Sequence, residues 1–87
     1  MTPAEIESAL LNFLDGFESP IAAYQIQDMK DLCRAGEAGI ALENFATQLV
    51  EFDVPVSMDF VDHLEKLGNA MGLNQKYWTR LRELVHG

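Results

Sequence analysis

The sequence predicts an all-α fold, a small single-domain bundle of about five short helices. Three observations lead there. Apolar residues recur at helical spacing along nearly the whole chain. Capping residues and glycines punctuate that pattern every 12–18 residues, on the order expected for short helices. The chain has 87 residues, which suits one domain rather than two.

The first helix starts at Thr2-Pro3-Ala4-Glu5. A capping threonine, a proline at the first helical position and a glutamate at the third form a capping box. Ile6, Leu10, Phe13, Leu14 and Phe17 follow as one apolar stripe, and Gly16 and Ser19-Pro20 interrupt it. Ser19 and Pro20 are suited to cap and start a second helix, with a stripe of Ala22, Ile26, Met29 and Cys33 and with Ile21 and Leu32 beside it. Gly36 is placed to end that helix as a left-handed residue, and Lys30 and Arg34 suit the negative end of its dipole. A third helix is expected over residues 38–51, burying Leu42, Phe45, Ala46, Leu49 and Val50. Phe52-Asp53-Val54-Pro55-Val56 breaks the pattern, because proline pushes Val54 toward extended geometry. A loop is expected there, with a short strand as the alternative. Ser57 caps a fourth helix with Phe60, Val61, Leu64, Leu67 and Met71 on its core face, and Gly72 ends it. Asn74 caps a fifth, which carries Tyr77, Trp78, Leu81, Leu84 and Val85. The glycines are read as helix-end residues, with Gly39 permitting a tight approach into the third helix and Ile40 packing inward.

Composition narrows function. The formal charge is −8, from 14 acidic and 6 basic residues. Such a surface repels nucleic acid phosphates and anionic membranes and favours cationic partners. Hydrophobic residues make up 48% of the chain, too many for a disordered acidic tail. One cysteine allows no internal disulfide, as in a reducing compartment. The N-terminus lacks signal-peptide features, and no apolar run approaches the ~20 residues of a membrane span. A cytoplasmic protein is the expectation.

The charge is uneven. Residues 37–65 carry Glu37, Glu43, Glu51, Asp53, Asp59, Asp62 and Glu65 and no lysine or arginine, whereas residues 66–87 carry a net +3. An acidic run is commonly a solvated face. Without counter-charge it is also a candidate docking surface for a basic partner. Asp62 has Lys66 one turn on as a source of partial relief. The apolar loop at Phe52 lies among these carboxylates, either as a packed turn or as a hot spot within a charged rim.

No catalytic, cofactor or metal set emerges. His63 and His86 fall on different helices and lack one-turn His spacing, and Cys33 falls on a core stripe. Glycine-rich phosphate loops, a nucleophile elbow and a calcium loop are absent. Lys76 and Arg80 beside Tyr77 and Trp78 make a weak nucleic-acid reading, which the global charge opposes. An acyl carrier protein would need Asp-Ser-Leu at a helix start, whereas the chain has Val56-Ser57-Met58.

The segment Ala35-Gly36-Glu37-Ala38-Gly39-Ile40-Ala41-Leu42-Glu43-Asn44 resembles the A-G-E-x-G-I-A-L-E-N stretch of MafI-like immunity proteins of bacterial toxin systems. Gln48 to Val56 and the Leu64, Leu67-Gly68, Met71-Gly72-Leu73, Trp78, Leu81 pattern look similar too, so the resemblance covers residues 26–85. It implies a small helical antidote, not an enzyme. Such a protein binds the C-terminal domain of a cognate polymorphic or contact-dependent toxin in the cytoplasm. That domain is often a nuclease, EndoU-like ribonucleases included.

The family supplies no contact residues. Charge and position select Glu43, Glu51, Phe52, Asp53, Asp59, Asp62 and Glu65 as the expected toxin-binding set, with Glu43 equally placed for a packing role near a helix N-terminus. The expected partner is a cationic toxin domain bound by a monomer, with no cofactor, no direct nucleic acid contact and no membrane. The alternative is a small acidic helical adaptor or regulatory module that binds another protein.

Overall fold

A computed structural model describes residues 1–15 and 21–85. Its helices are α1 (Pro3–Asp15), α2 (Ala23–Arg34), α3 (Ala38–Glu51), α4 (Met58–Ala70) and α5 (Lys76–Arg82). The Cα radius of gyration is 11.9 Å, as expected for a compact chain of this length. No described helix is long and apolar enough to cross a membrane.

Local signals set most helix ends. The capping box of α1 forms as read: Thr2 N donates to Glu5 Oε1 (3.0 Å) and Glu5 N to Thr2 Oγ1 (3.2 Å). Those bonds, the backbone one foremost, hold the Glu5 carboxyl below its ordinary pKa. Ser57 caps α4 by accepting from Phe60 N at 3.1 Å. Asn74 Oδ1 accepts from Lys76 N at 2.9 Å at the start of α5. The start of α2 differs from expectation. Ser19 and Pro20 lie outside the described residues, as do Gly16 and Phe17. The helix begins at Ala23, after Ala22, whose N–H donates to the Gln25 side chain at 3.2 Å.

Three helices end in the same doubly hydrogen-bonded left-handed turn. After α2, Gly36 N donates to Cys33 O and Glu37 N to Leu32 O. After α4, Gly72 N donates to Asn69 O and Leu73 N to Gly68 O. After α3, Asp53 N donates to Val50 O and Val54 N to Leu49 O. Gly36 and Gly72 have φ of 85° and 72°, and Asp53 takes φ 53° without being glycine. The turn brings Val54 into the core, while Phe52 stays outside. The following segment is a loop. Val56 forms an isolated parallel bridge with Val85, and no strand forms there.

Helix α3 is the centre of the molecule and touches the other four helices. Its buried face is Ala41, Leu42, Phe45, Ala46 and Leu49. Ile40 is 47% exposed rather than packed, because it lies on the outward stripe with Asn44, Thr47 and Glu51. Phe60 bridges α1 and α3 through edge-on contacts to Phe13 and Phe45, at centroid separations of 5.6 and 6.2 Å. Cys33 is buried, donates to Glu7 O at 3.6 Å, and has its pKa raised by burial first and by Glu7 second. That is an inert core thiol.

The seat of α5 rests on a glycine that is not a helix-end residue. Gly68 lies within α4, and a Cβ built there would meet Trp78 Cζ2 at 2.0 Å. Trp78 is the largest fully buried side chain, and it lies against bare α4 backbone. Its Nε1 finds no acceptor among the described residues, so shape rather than a hydrogen bond sets the ring position. Gly39 differs: a Cβ there would touch only Leu73 Cδ2 at 3.6 Å and Met71 Sδ at 4.0 Å, which is ordinary contact. The tight approach expected at Gly39 therefore occurs at Gly68.

These two glycines should respond oppositely to alanine. Gly68→Ala gains roughly 1 kcal/mol of helix propensity, but overpacking against Trp78 outweighs it, for a net loss of about 1–3 kcal/mol. Gly39→Ala should be neutral or stabilising by up to about 1 kcal/mol. Urea unfolding of the two variants beside the parent chain checks both.

Candidate protein-docking surface

The seven residues selected by charge separate into three environments. Glu43, on α3, is half-buried and accepts a hydrogen bond from the Tyr77 hydroxyl at 2.6 Å. The bond stabilises the protonated phenol, so the Tyr77 pKa lies above the ordinary tyrosine value, with burial and the Glu43 charge adding to the effect. Glu43 therefore fastens α5 to α3, which favours its packing role over a partner-facing one.

Asp62 and Glu65, on α4, converge on one cation. Arg82 Nη2 donates to Asp62 Oδ1 at 3.0 Å and to Glu65 Oε2 at 2.7 Å. Its Nη1 lies against the Met58 sulfur. The two carboxylates, Glu65 foremost, raise the Arg82 pKa further. The relief expected for Asp62 from Lys66 comes instead from Arg82, 20 positions on in sequence. The 29-residue acidic stretch thus does have a counter-charge, supplied by α5.

Glu51, Phe52, Asp53 and Asp59 form the third group, and all four are exposed. Among the described residues the ion pairs are Lys30–Asp15, Arg34–Asp31 and the two of Arg82, so none includes Glu51, Asp53 or Asp59. Phe52 is 42% exposed. Asp59 lies in the first turn of α4, where the helix dipole favours a negative charge. Glu51 closes α3, whose last turn has no basic residue, and the helix dipole disfavours its negative charge at that end. Chemically this surface offers carboxylates that hold cationic side chains and an aromatic face that holds apolar ones.

Among the described residues no group of three or more His, Cys, Asp or Glu side chains could hold a metal ion. His63 is exposed, with Nδ1 2.7 Å from the Asp59 carbonyl. A groove of about 580 Å³ runs between the start of α1, the α2–α3 turn and the end of α4, and none of the seven residues lines it. Charge patterning missed Arg82 and the exposed Met58. Arg82 sits on a short amphipathic helix with no local signal pointing to α4.

No protein-family model, no curated protein and no solved structure matches the chain.

Two outcomes follow from this geometry. The stability that Tyr77 supplies through its raised pKa is fully present below the ordinary phenol pKa and is lost as pH rises through the folded-state value. Tyr77→Phe should abolish that alkaline loss, together with a late-ionising phenolate absorbance. At the α3 terminus, Asp53→Gly should stabilise the fold by about 1 kcal/mol by relieving the left-handed backbone, read as a shift in the urea midpoint.

Proposed function

We propose that this chain is an immunity protein that binds and neutralises the C-terminal domain of a cognate polymorphic or contact-dependent toxin. The proposed toxin domain is a nuclease, with EndoU-like ribonucleases as one such class, and the proposed setting is the cytoplasm. The observation that carries the reading is that Glu51, Phe52, Asp53 and Asp59 are all exposed and that none of the three acids is in an ion pair among the described residues. They lie within the segment that resembles the MafI-like family. A nuclease must attract phosphate, so its active-site face is cationic. A protein presenting unpaired carboxylates competes for that field. Electrostatic steering can raise association to about 10⁸ M⁻¹s⁻¹ at low salt, which suits a toxin that must be intercepted at low copy number.

The rival is an acidic helical adaptor for a different protein. It shares the fold and the exposed carboxylates, and the gene immediately upstream separates the two readings. Co-expression with the toxin domain encoded there should restore growth and give a complex that co-purifies. Reversal of Glu51, Asp53 and Asp59 to lysine should slow association at least about tenfold at low salt, with a smaller effect as salt screens the field. Stopped-flow kinetics measures this. Unchanged rates and unchanged protection would place the contact elsewhere.

A further inference from the structure

We propose that Glu51-Phe52-Asp53, the C-terminal end of α3, is the contact element itself. Phe52 seats in an apolar socket on a cationic protein, and Glu51 and Asp53 receive lysine or arginine side chains beside it. The inference rests on the immunity reading and narrows its surface: Asp62 and Glu65 belong to the internal Arg82 clamp, and Asp59 serves the start of α4.

The three consecutive residues run against the needs of the helix end they occupy. Glu51 places a negative charge at the negative end of the α3 dipole. Asp53 takes φ 53° at the position where Gly36 and Gly72 stand in the equivalent turns of α2 and α4. Phe52 remains 42% exposed, although Val54 two residues on reaches the core. Folding alone favours a basic or neutral residue, a polar residue and a glycine at these positions.

The other exposed apolar side chains are less well equipped. Tyr24 has one acidic residue within a turn, Asp28, and Ile40 has two, Glu37 and Glu43, of which Glu43 is held by the Tyr77 hydroxyl. Met58 lies against Arg82, a cation already held by Asp62 and Glu65. Among the exposed large apolar residues described, Phe52 alone has a carboxylate at each adjacent position, and neither carboxylate is in an ion pair among the described residues. An aromatic anchor within a charged rim is the usual anatomy of a binding hot spot. Its chemical complement is an apolar depression with basic neighbours. Nucleic acid fails that description, because phosphate repels both carboxylates.

The test uses the whole chain and a catalytically inactive form of the toxin domain encoded upstream, with binding followed by stopped flow and calorimetry. Phe52→Ala should weaken affinity at least about 30-fold, chiefly through faster dissociation. Glu51→Gln and Asp53→Gly should each slow association several-fold at low salt. The Asp53→Gly chain should do so while unfolding at higher urea than the parent, which separates lost contact from lost fold. Asp62→Asn with Glu65→Gln should change affinity less than about threefold. Normal binding by Phe52→Ala, or a large loss confined to the Asp62/Glu65 pair, would overturn the assignment. Failure of the parent chain to bind the toxin domain would overturn the immunity reading and this inference with it, and the parent measurement alone reveals that outcome.

Discussion

Trp78 packs against the backbone of α4 because residue 68 has no side chain, and that contact sets where the charges of α5 fall. Once the indole is seated, its neighbour Tyr77 reaches Glu43 on α3, and Arg82 one turn further on reaches Asp62 and Glu65 on α4. A packing contact between one ring and one glycine therefore decides which carboxylates are satisfied internally. Those within reach of α5 become fasteners. Those at the far end of α3 keep their charge for solvent or for a partner.

This division explains how a chain of net charge −8 remains compact. Like charges crowded without relief destabilise a folded state. Arg82 removes the worst local case, two acids three residues apart on one helix face. Lys30 does the same for Asp15, whose carboxyl is held below its ordinary pKa first by its hydrogen bond to that ammonium and then by the charge. Among the acids in no ion pair among the described residues, Glu51 and Asp53 directly flank an exposed aromatic side chain, Phe52. Unfavourable local choices that cluster at one exposed place are what a binding constraint leaves behind.

Much of the fold was legible because its determinants are local. The span of α3, the caps at Thr2 and Ser57, and the glycine stops at positions 36 and 72 each depend on residues within one or two turns. The start of α2 is hard to read from sequence because a serine-proline pair is a strong signal wherever it occurs, whereas Gln25 reaching back to Ala22 is a weak one. Gly68 was read with the other glycines because nothing near it announces a tryptophan ten residues on. The candidate surface was legible only as a total. Sequence spacing found the acidic stretch but not its partition, since the Arg82 and Tyr77 contacts span 17–34 positions. Ile40 was expected inside because apolar residues at helical spacing favour burial, yet it falls on the outward stripe of α3.

The central claim is that α5 saturates one part of the acidic surface and leaves the end of α3 to bind. Hydrogen exchange on the complex with the inactive toxin domain tests this directly. Amides of residues 49–56 should gain protection, while those of 62–66 and 76–82 should exchange as in the free chain. Protection centred on α5, or on the groove between α1 and the α2–α3 turn, would contradict it.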